Sequence, residues 1–423
     1  MKLTFLPLVF LFTPLFVLSQ NNFSDNQMKW MKNWTNFDPN HEEYPQAEER
    51  LPNVIDSDIY ISNDVTYLMS GNVYVTNGAI LTIEAGTIIR CDSETSTSLV
   101  ITKGSKLFAK GSKVAPIVFT SDKKPKSRKP GDWGGIIIAG SGKVNSFSGL
   151  GSIEGNYLPH HSMYGGQNYD EETTVMSYVR IEYAGQKINQ SNELNGLSLY
   201  ALGKNSIIDN IMISYSADDS FECYGGSAHL KNLISYKTKD DDFDFTQGFK
   251  GDLHNIIAIR HPYISDTSGS YAIEIDGYNK KEGLSNPESL SSIKITNASL
   301  ISLSDKTNYI HTTSAISSKS LGQIEIRDSR ISGFANVVRF DKSYQSFSDI
   351  SSAFSLENSV FNVHSNTVLA AYESDNDDIG QILKYNMYTK RFKDVQDLFK
   401  DPLHIKNPKF TIKDSLDNQT VMQ

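Results

Sequence analysis

Asp219-Ser220-Phe221-Glu222 and Asp241-Asp242-Phe243-Asp244 align residue for residue at a spacing of 22. The flanking chain keeps the same register. Ser214-Tyr215 returns as Ser235-Tyr236, and Asn210-Ile211, Asn232-Leu233 and Asn255-Ile256 follow one another at intervals of 22 and 23. Asn297, Asp328 and Asn358 continue the series at 42, 31 and 30, which reads as one unit carrying insertions of variable length. Short apolar alternations fill the intervals, among them Leu197-Ser198-Leu199, Ile211-Met212-Ile213, Ile273-Glu274-Ile275 and Ile324-Glu325-Ile326. An interval of about 20 to 25 residues with two or three short strands is one coil of a parallel β-helix, hydrogen-bonded to the next coil at about 4.8 Å.

Propeller blades need about 40 residues and four longer strands, and leucine-rich repeats need regularly placed leucines. A β-sandwich is the alternative that accommodates the strand lengths, but it gives no reason for a constant register. The expected fold is therefore all-β: a single-stranded right-handed parallel β-helix with short N- and C-terminal capping segments. Alternation places Val179, Ile181, Ile211, Ile213, Phe221 and Phe243 in the lumen, where each buried side chain contributes roughly 1.5 to 3 kcal/mol. The recurring asparagines are expected to form a ladder of side-chain amides at a corner. A solenoid's open ends need covers. Two segments suit that role: Met28, Trp30, Met31 and Trp34 after Ser24-Asp25, and Phe392, Val395, Leu398 and Phe399 on one helical face.

Met1-Lys2, the apolar run Leu3 to Leu18 and the small residue Ser19 before Gln20 have the form of a secretory signal peptide. The expected divisions are 1–19 signal peptide, 20–63 N-terminal extension or cap, 64–375 β-helix and 376–423 C-terminal cap and tail. No transmembrane segment is expected in the mature chain. The net charge of −9 offers no concentrated basic patch for nucleic acid or for an anionic membrane surface. Cys91 and Cys223, the two cysteines of the chain, lie 132 residues apart, at least four coils, so no disulfide is expected between them. Cys223 follows Phe221 by two and should face the lumen.

Several motifs in one order resemble the secreted, pectin-lyase-like β-helix proteins common on Gram-negative bacterial surfaces. They are Gly131-Asp132-Trp133-Gly134-Gly135-Ile136-Ile137-Ile138, Ile153-Glu154-Gly155, Tyr164-Gly165-Gly166, Tyr178 to Gly185, Asn195 to Leu199, Asp218 to Glu222 and Asp240 to Phe245. They cover roughly 70 to 270. The resemblance implies the fold and export, ending in secretion, the cell surface or the periplasm. It carries no established reaction. Related pectin-depolymerising hydrolases use aspartates on adjacent coils, but their Gly-His-Gly and Arg-Ile-Lys segments are missing here. The lyase relatives need a calcium-binding acidic set and an arginine base, for which Arg180 and Arg260 are nominees.

The sharpest chemical feature is the acidic pair of motifs. With Phe221 and Phe243 inward, Glu222, Asp242 and Asp244 are expected outward, stacked coil on coil beside Asp218, Asp219, Asp240 and Asp241. Carboxylates so placed repel by about 1 kcal/mol per pair in water and about 3 to 4 at an effective dielectric near 20. Calcium held by Asp218, Asp219, Glu222, Asp241, Asp242 and Asp244 is one compensation, and shared protons or nearby Lys237, Lys239 and Arg180 are others. The bland reading is that these aspartates cap turn amides. Asp219, Asp241 and Asp242 are the candidates for catalysis by a carboxylate pair. The long insertion from Ser141 to Thr174 carries Glu154, His160, His161, Tyr164, Tyr169 and Asp170, of which Tyr164, Tyr169 and Asp170 are candidates for substrate binding. The adjacent histidines are expected to point apart on an extended chain. Asp132-Trp133 between glycines reads as a tight corner packed on a neighbouring coil.

The functional expectation is an exported or cell-surface protein that binds extracellular carbohydrate or another polymer without cleaving it, with calcium as a candidate cofactor. The alternatives are a polysaccharide lyase or glycoside hydrolase using the acidic cluster, and a purely structural surface spacer.

Overall fold

The computed structural model describes residues 25–422 except 190–192, 266–268, 280–288, 304–313, 373–378, 390 and 414–419. The signal-peptide expectation lies outside the described residues. Short strands assemble into two long sheets, one of eighteen strands and one of eleven, hereafter the first and second sheets. Strand pairing within them is parallel from coil to coil, apart from one antiparallel pair in the first sheet near the C-terminus. This is the expected all-β parallel β-helix.

The register is the one read from the repeat. Phe221 pairs with Phe243, Glu222 with Asp244 and Cys223 with Phe245, while Ile211 pairs with Leu233 and Leu233 with Ile256. Because identical steps along each coil bring like residues together, the lumen is a stack of aliphatic and aromatic side chains. Val179, Ile181, Ile211, Ile213, Phe221 and Phe243 all belong to it, with the last two rings 5.0 Å apart and stacked. Cys91 and Cys223 are free thiols, and both sit in this core.

The asparagine ladder stands at one corner. Asn232 donates to Asp209 Oδ1 at 2.8 Å, Asn255 to Asn232 Oδ1 at 2.7 Å and Asn297 to Asn255 Oδ1 at 2.5 Å, and Asn358 donates to Asp328. Asn210, Asn232, Asn255, Asn297, Asp328 and Asn358 all have φ between 49° and 63°. Each therefore occupies the left-handed region that Asn and Asp tolerate better than other side chains, and turns the strand around the corner. Gly131 (φ 81°) and Gly135 (φ 101°) flank the corner at Trp133, whose fully buried indole stacks on Phe119 and donates to the Glu182 carbonyl at 2.8 Å.

The terminal segments differ from expectation. The N-terminal turn is a 3-10 helix, Asp25–Met31, and the C-terminal helix is confined to Val395–Leu398 before the strand Phe399–Asp401. Neither lies over an open end. Met31, Trp34, Phe37, Val395, Leu398, Phe399 and Phe410 pack together against Met212, Ile234, Ile257, Ile259 and Ile301 on the outer face of the first sheet. The physical reason is on that face: its outward row is apolar through the middle coils, and both tails cover it. Parallel pairing begins earlier than residue 64, with Glu49–Arg50 against Tyr67–Met69.

Candidate functional site

The outer face of the second sheet carries a row in which Ser198, Glu222, Asp244, Glu274, Ser317 and Arg339 succeed one another coil by coil. At the corner beside it, Asp218, Asp219 and Asp240 bring one carboxylate oxygen each within 4.8 Å of one another, and so do Asp219, Glu222 and Asp244. Asp219 belongs to both groups. Two three-carboxylate clusters thus share a residue at the turn where the coil enters the second sheet.

The six acidic residues proposed from sequence divide by role. Asp218, Asp219, Glu222 and Asp244 converge, joined by Asp240. Asp219 accepts from the Asp241 amide at 2.8 Å, and Asp241 in turn accepts from the Tyr271 amide. Both are therefore caps for the next coil's backbone, the bland reading, although Asp219 also remains in the cluster. Asp242 is not outward at all. It accepts from Ser235, whose row continues into luminal Ile213 and Ala258, and from Arg260 Nη1 at 2.7 Å, with neither partner exposed. Alternation fails for Asp242 because it precedes the strand Phe243–Thr246, at a corner where the backbone turns inward.

Glu222 is fixed by two neutral donors, Asn195 Nδ2 at 2.5 Å and the Tyr224 hydroxyl. The same hydroxyl lies 3.2 Å from Glu154 Oε2 of the insertion. Asp244 Oδ1 is buried with no hydrogen-bond partner among the described residues. A compensating cation comes from beside this row: Lys319, in register with Asp276 two residues along the strand, pairs with Glu274. Burial pushes the carboxyls of Asp219, Glu222 and Asp244 well up, reinforced by Asp241, Asp244 and Glu274 respectively. Burial and Asp240 push Asp218 up to about 8. Burial opposes the charge on Lys319, but Glu274 and Asp244 outweigh it and hold that ammonium above its ordinary value.

The insertion folds over the neighbouring coils of this face. Tyr164, expected to meet substrate, is buried: it packs 4.7 Å from Tyr200, which stacks on Tyr224 at 4.0 Å, and its hydroxyl donates to Gln247 at 2.6 Å. Tyr169 and Asp170 are exposed, the first under Lys204 and the second paired with it at 2.6 Å. His160 and His161 do not point apart. They lie in a 3-10 turn, Pro159–His161, rather than an extended chain, and their rings are 3.9 Å from centre to centre.

Neither nominated arginine reaches the acidic row. Arg260 is sealed in the lumen, and Arg180 lies on the first sheet beside Glu182 (3.7 Å) and the Tyr44 hydroxyl (3.1 Å). Sequence reading missed Asn195, Glu274, Lys319 and Arg339. Glu274 was legible as an outward residue of Ile273-Glu274-Ile275, but an insertion stretches its spacing from Asp244 to 30 and hides the stack.

A family model described as the pectate-lyase like beta helix domain matches residues 53–397. No curated protein and no solved structure matches the chain.

Proposed function

Because the chain belongs to the pectate-lyase-like β-helix family, we propose that it is an exported or cell-surface protein that binds an extracellular polysaccharide without cleaving it, with calcium at the acidic ledge. The observation that carries this reading is the pair of carboxylate clusters sharing Asp219, with Asp244 Oδ1 buried and unpartnered. Calcium takes six to eight oxygens at 2.3–2.6 Å in flexible geometry, and carboxylates on neighbouring coils offer such a set. Asp218, Asp219, Asp240, Glu222 and Asp244 would hold it. A bound cation also accepts hydroxyl or carboxylate oxygens of a glycan, which gives an acidic face a way to attract an uncharged or anionic polymer. Binding is favoured over lysis by the separation of both nominated arginines from the ledge.

Catalysis is the second reading, and Arg339 favours it. It stands on the same outer row, two coils beyond Glu274, exposed and bonded to the Tyr271 hydroxyl at 2.6 Å. Glycan-array binding with and without calcium, followed by product analysis of every bound polymer, separates the readings. The expected result is calcium-dependent retention with no unsaturated or shortened product. Product formation that disappears in Arg339→Lys would replace binding with lysis, and absence of any bound glycan would leave the structural spacer.

A further inference from the structure

The insertion also builds a cleft away from the acidic ledge. Its floor and one wall are two turns stacked on consecutive coils, Thr76-Asn77-Gly78 and Thr102-Lys103-Gly104; the other wall is Ser141, His160, His161 and Met163. The cleft is open to solvent on one side and has a volume of about 460 Å³. The sequence His160-His161-Ser162-Met163 thus delivers two imidazoles and a thioether to one cavity from a single short stretch. The 3-10 turn makes this possible by folding the histidines onto one side. The strand Met163–Tyr164 then alternates, sending Tyr164 into the packed layer and leaving Met163 43% exposed.

We propose that His160, His161 and Met163 form a copper(I) site. Imidazole nitrogens and a thioether sulfur are soft-to-borderline ligands, and the thioether selects copper(I) over zinc, calcium or magnesium. The wall residue Lys103, whose ammonium donates to the Gly165 carbonyl at 2.5 Å, reinforces that choice, since a fixed positive charge nearby opposes a divalent ion more than a monovalent one. His161 is prepared as a ligand. Its ring packs 4.8 Å from Tyr74, and its Nδ1 lies 3.4 Å from Thr76 Oγ1. In the tautomer whose Nδ1–H donates to that hydroxyl, Nε2 carries the free lone pair, the arrangement by which second-sphere partners orient metal-bound histidines. Among the described residues no carboxylate lines the cleft, so the site is chemically distinct from the acidic ledge and does not depend on it.

The test is anaerobic titration of the full chain with copper(I) against bathocuproine disulfonate, together with X-ray absorption of the loaded protein. One copper(I) per chain should be retained, with nitrogen and sulfur scatterers. Met163→Leu, exposed and near-isosteric, should keep the melting temperature, lose the sulfur scatterer and weaken binding about tenfold or more; His160→Gln should weaken it similarly. Surrender of all copper(I) by the wild type, or unchanged affinity in both variants, overturns the site. Should Met163→Leu melt early, His160→Gln and the wild-type sulfur signal decide alone.

Discussion

Asp242 and Arg260 meet in the lumen with no side-chain exposure, and Arg260 Nε and Nη2 have no partner there among the described residues. Removing two charges from water costs several kcal/mol each, and their attraction roughly returns that cost only while both are present. Arg260→Met should therefore lose about 3–5 kcal/mol in denaturant unfolding, because an unpaired carboxylate stays behind. Adding Asp242→Leu should recover most of the loss. A single variant as stable as the wild type would mean that Asp242 is already protonated, a state its burial favours. The cysteines make a second residue-scale expectation. Burial raises both thiols well above their ordinary value, so a thiol reagent should modify Cys91 and Cys223 only as fast as the chain unfolds. Rapid labelling in native buffer would contradict their luminal position.

At the scale of a coil, the asparagine corner combines two effects that a pair of substitutions separates. Asn255 has φ 59°, donates to Asn232 and accepts from Asn297. Asn255→Gly keeps the backbone conformation and loses the ladder; Asn255→Ala loses both. The alanine variant should be the less stable by about 1 kcal/mol in chemical denaturation, the left-handed penalty of a Cβ. Equal losses would assign the whole effect to the amide ladder. This corner was legible in sequence because its period is set by backbone geometry, which forces the same residue type at each recurrence. Phe221 over Phe243 was legible for the related reason that like side chains stack. Asp242 was not, since two-residue alternation describes a strand and says nothing of the turn before it. The terminal segments were half legible: clustered tryptophans signal something to cover, but the apolar stripe of Met212, Ile234 and Ile257 that they cover exists only once the coils are stacked.

Across the whole molecule, the ledge ties stability to pH. Its carboxyls hold protons more tightly folded than unfolded, so their contribution is complete below the unfolded value near 4 and is lost as pH rises through the folded values, about 8 for Asp218. In chelator, the melting temperature should fall between about pH 4 and pH 8. Millimolar calcium should restore it by a few degrees at the upper end, a ligand at 100 times its dissociation constant contributing about 2.7 kcal/mol. Asp244→Asn should respond less. An equal response in both proteins would remove calcium from the ledge and leave Asp219 and Asp241 as turn caps.

The strand Lys409–Ile412 touches the turn Asp25–Met31, so an N-terminal and a C-terminal segment are fastened to each other midway along the flank. An ordinary solenoid behaves like a stack of coins, in which each unit feels only its neighbours and either end can fray alone. Here the buckle closes over coils that lie between the two ends, so loosening it uncovers the middle of the stack before either end has unwound. Native-state hydrogen exchange should accordingly find Met212, Ile234 and Ile257 opening together with the tail residues Trp34 and Phe399 as one unit, rather than a gradient of protection running inward from the ends.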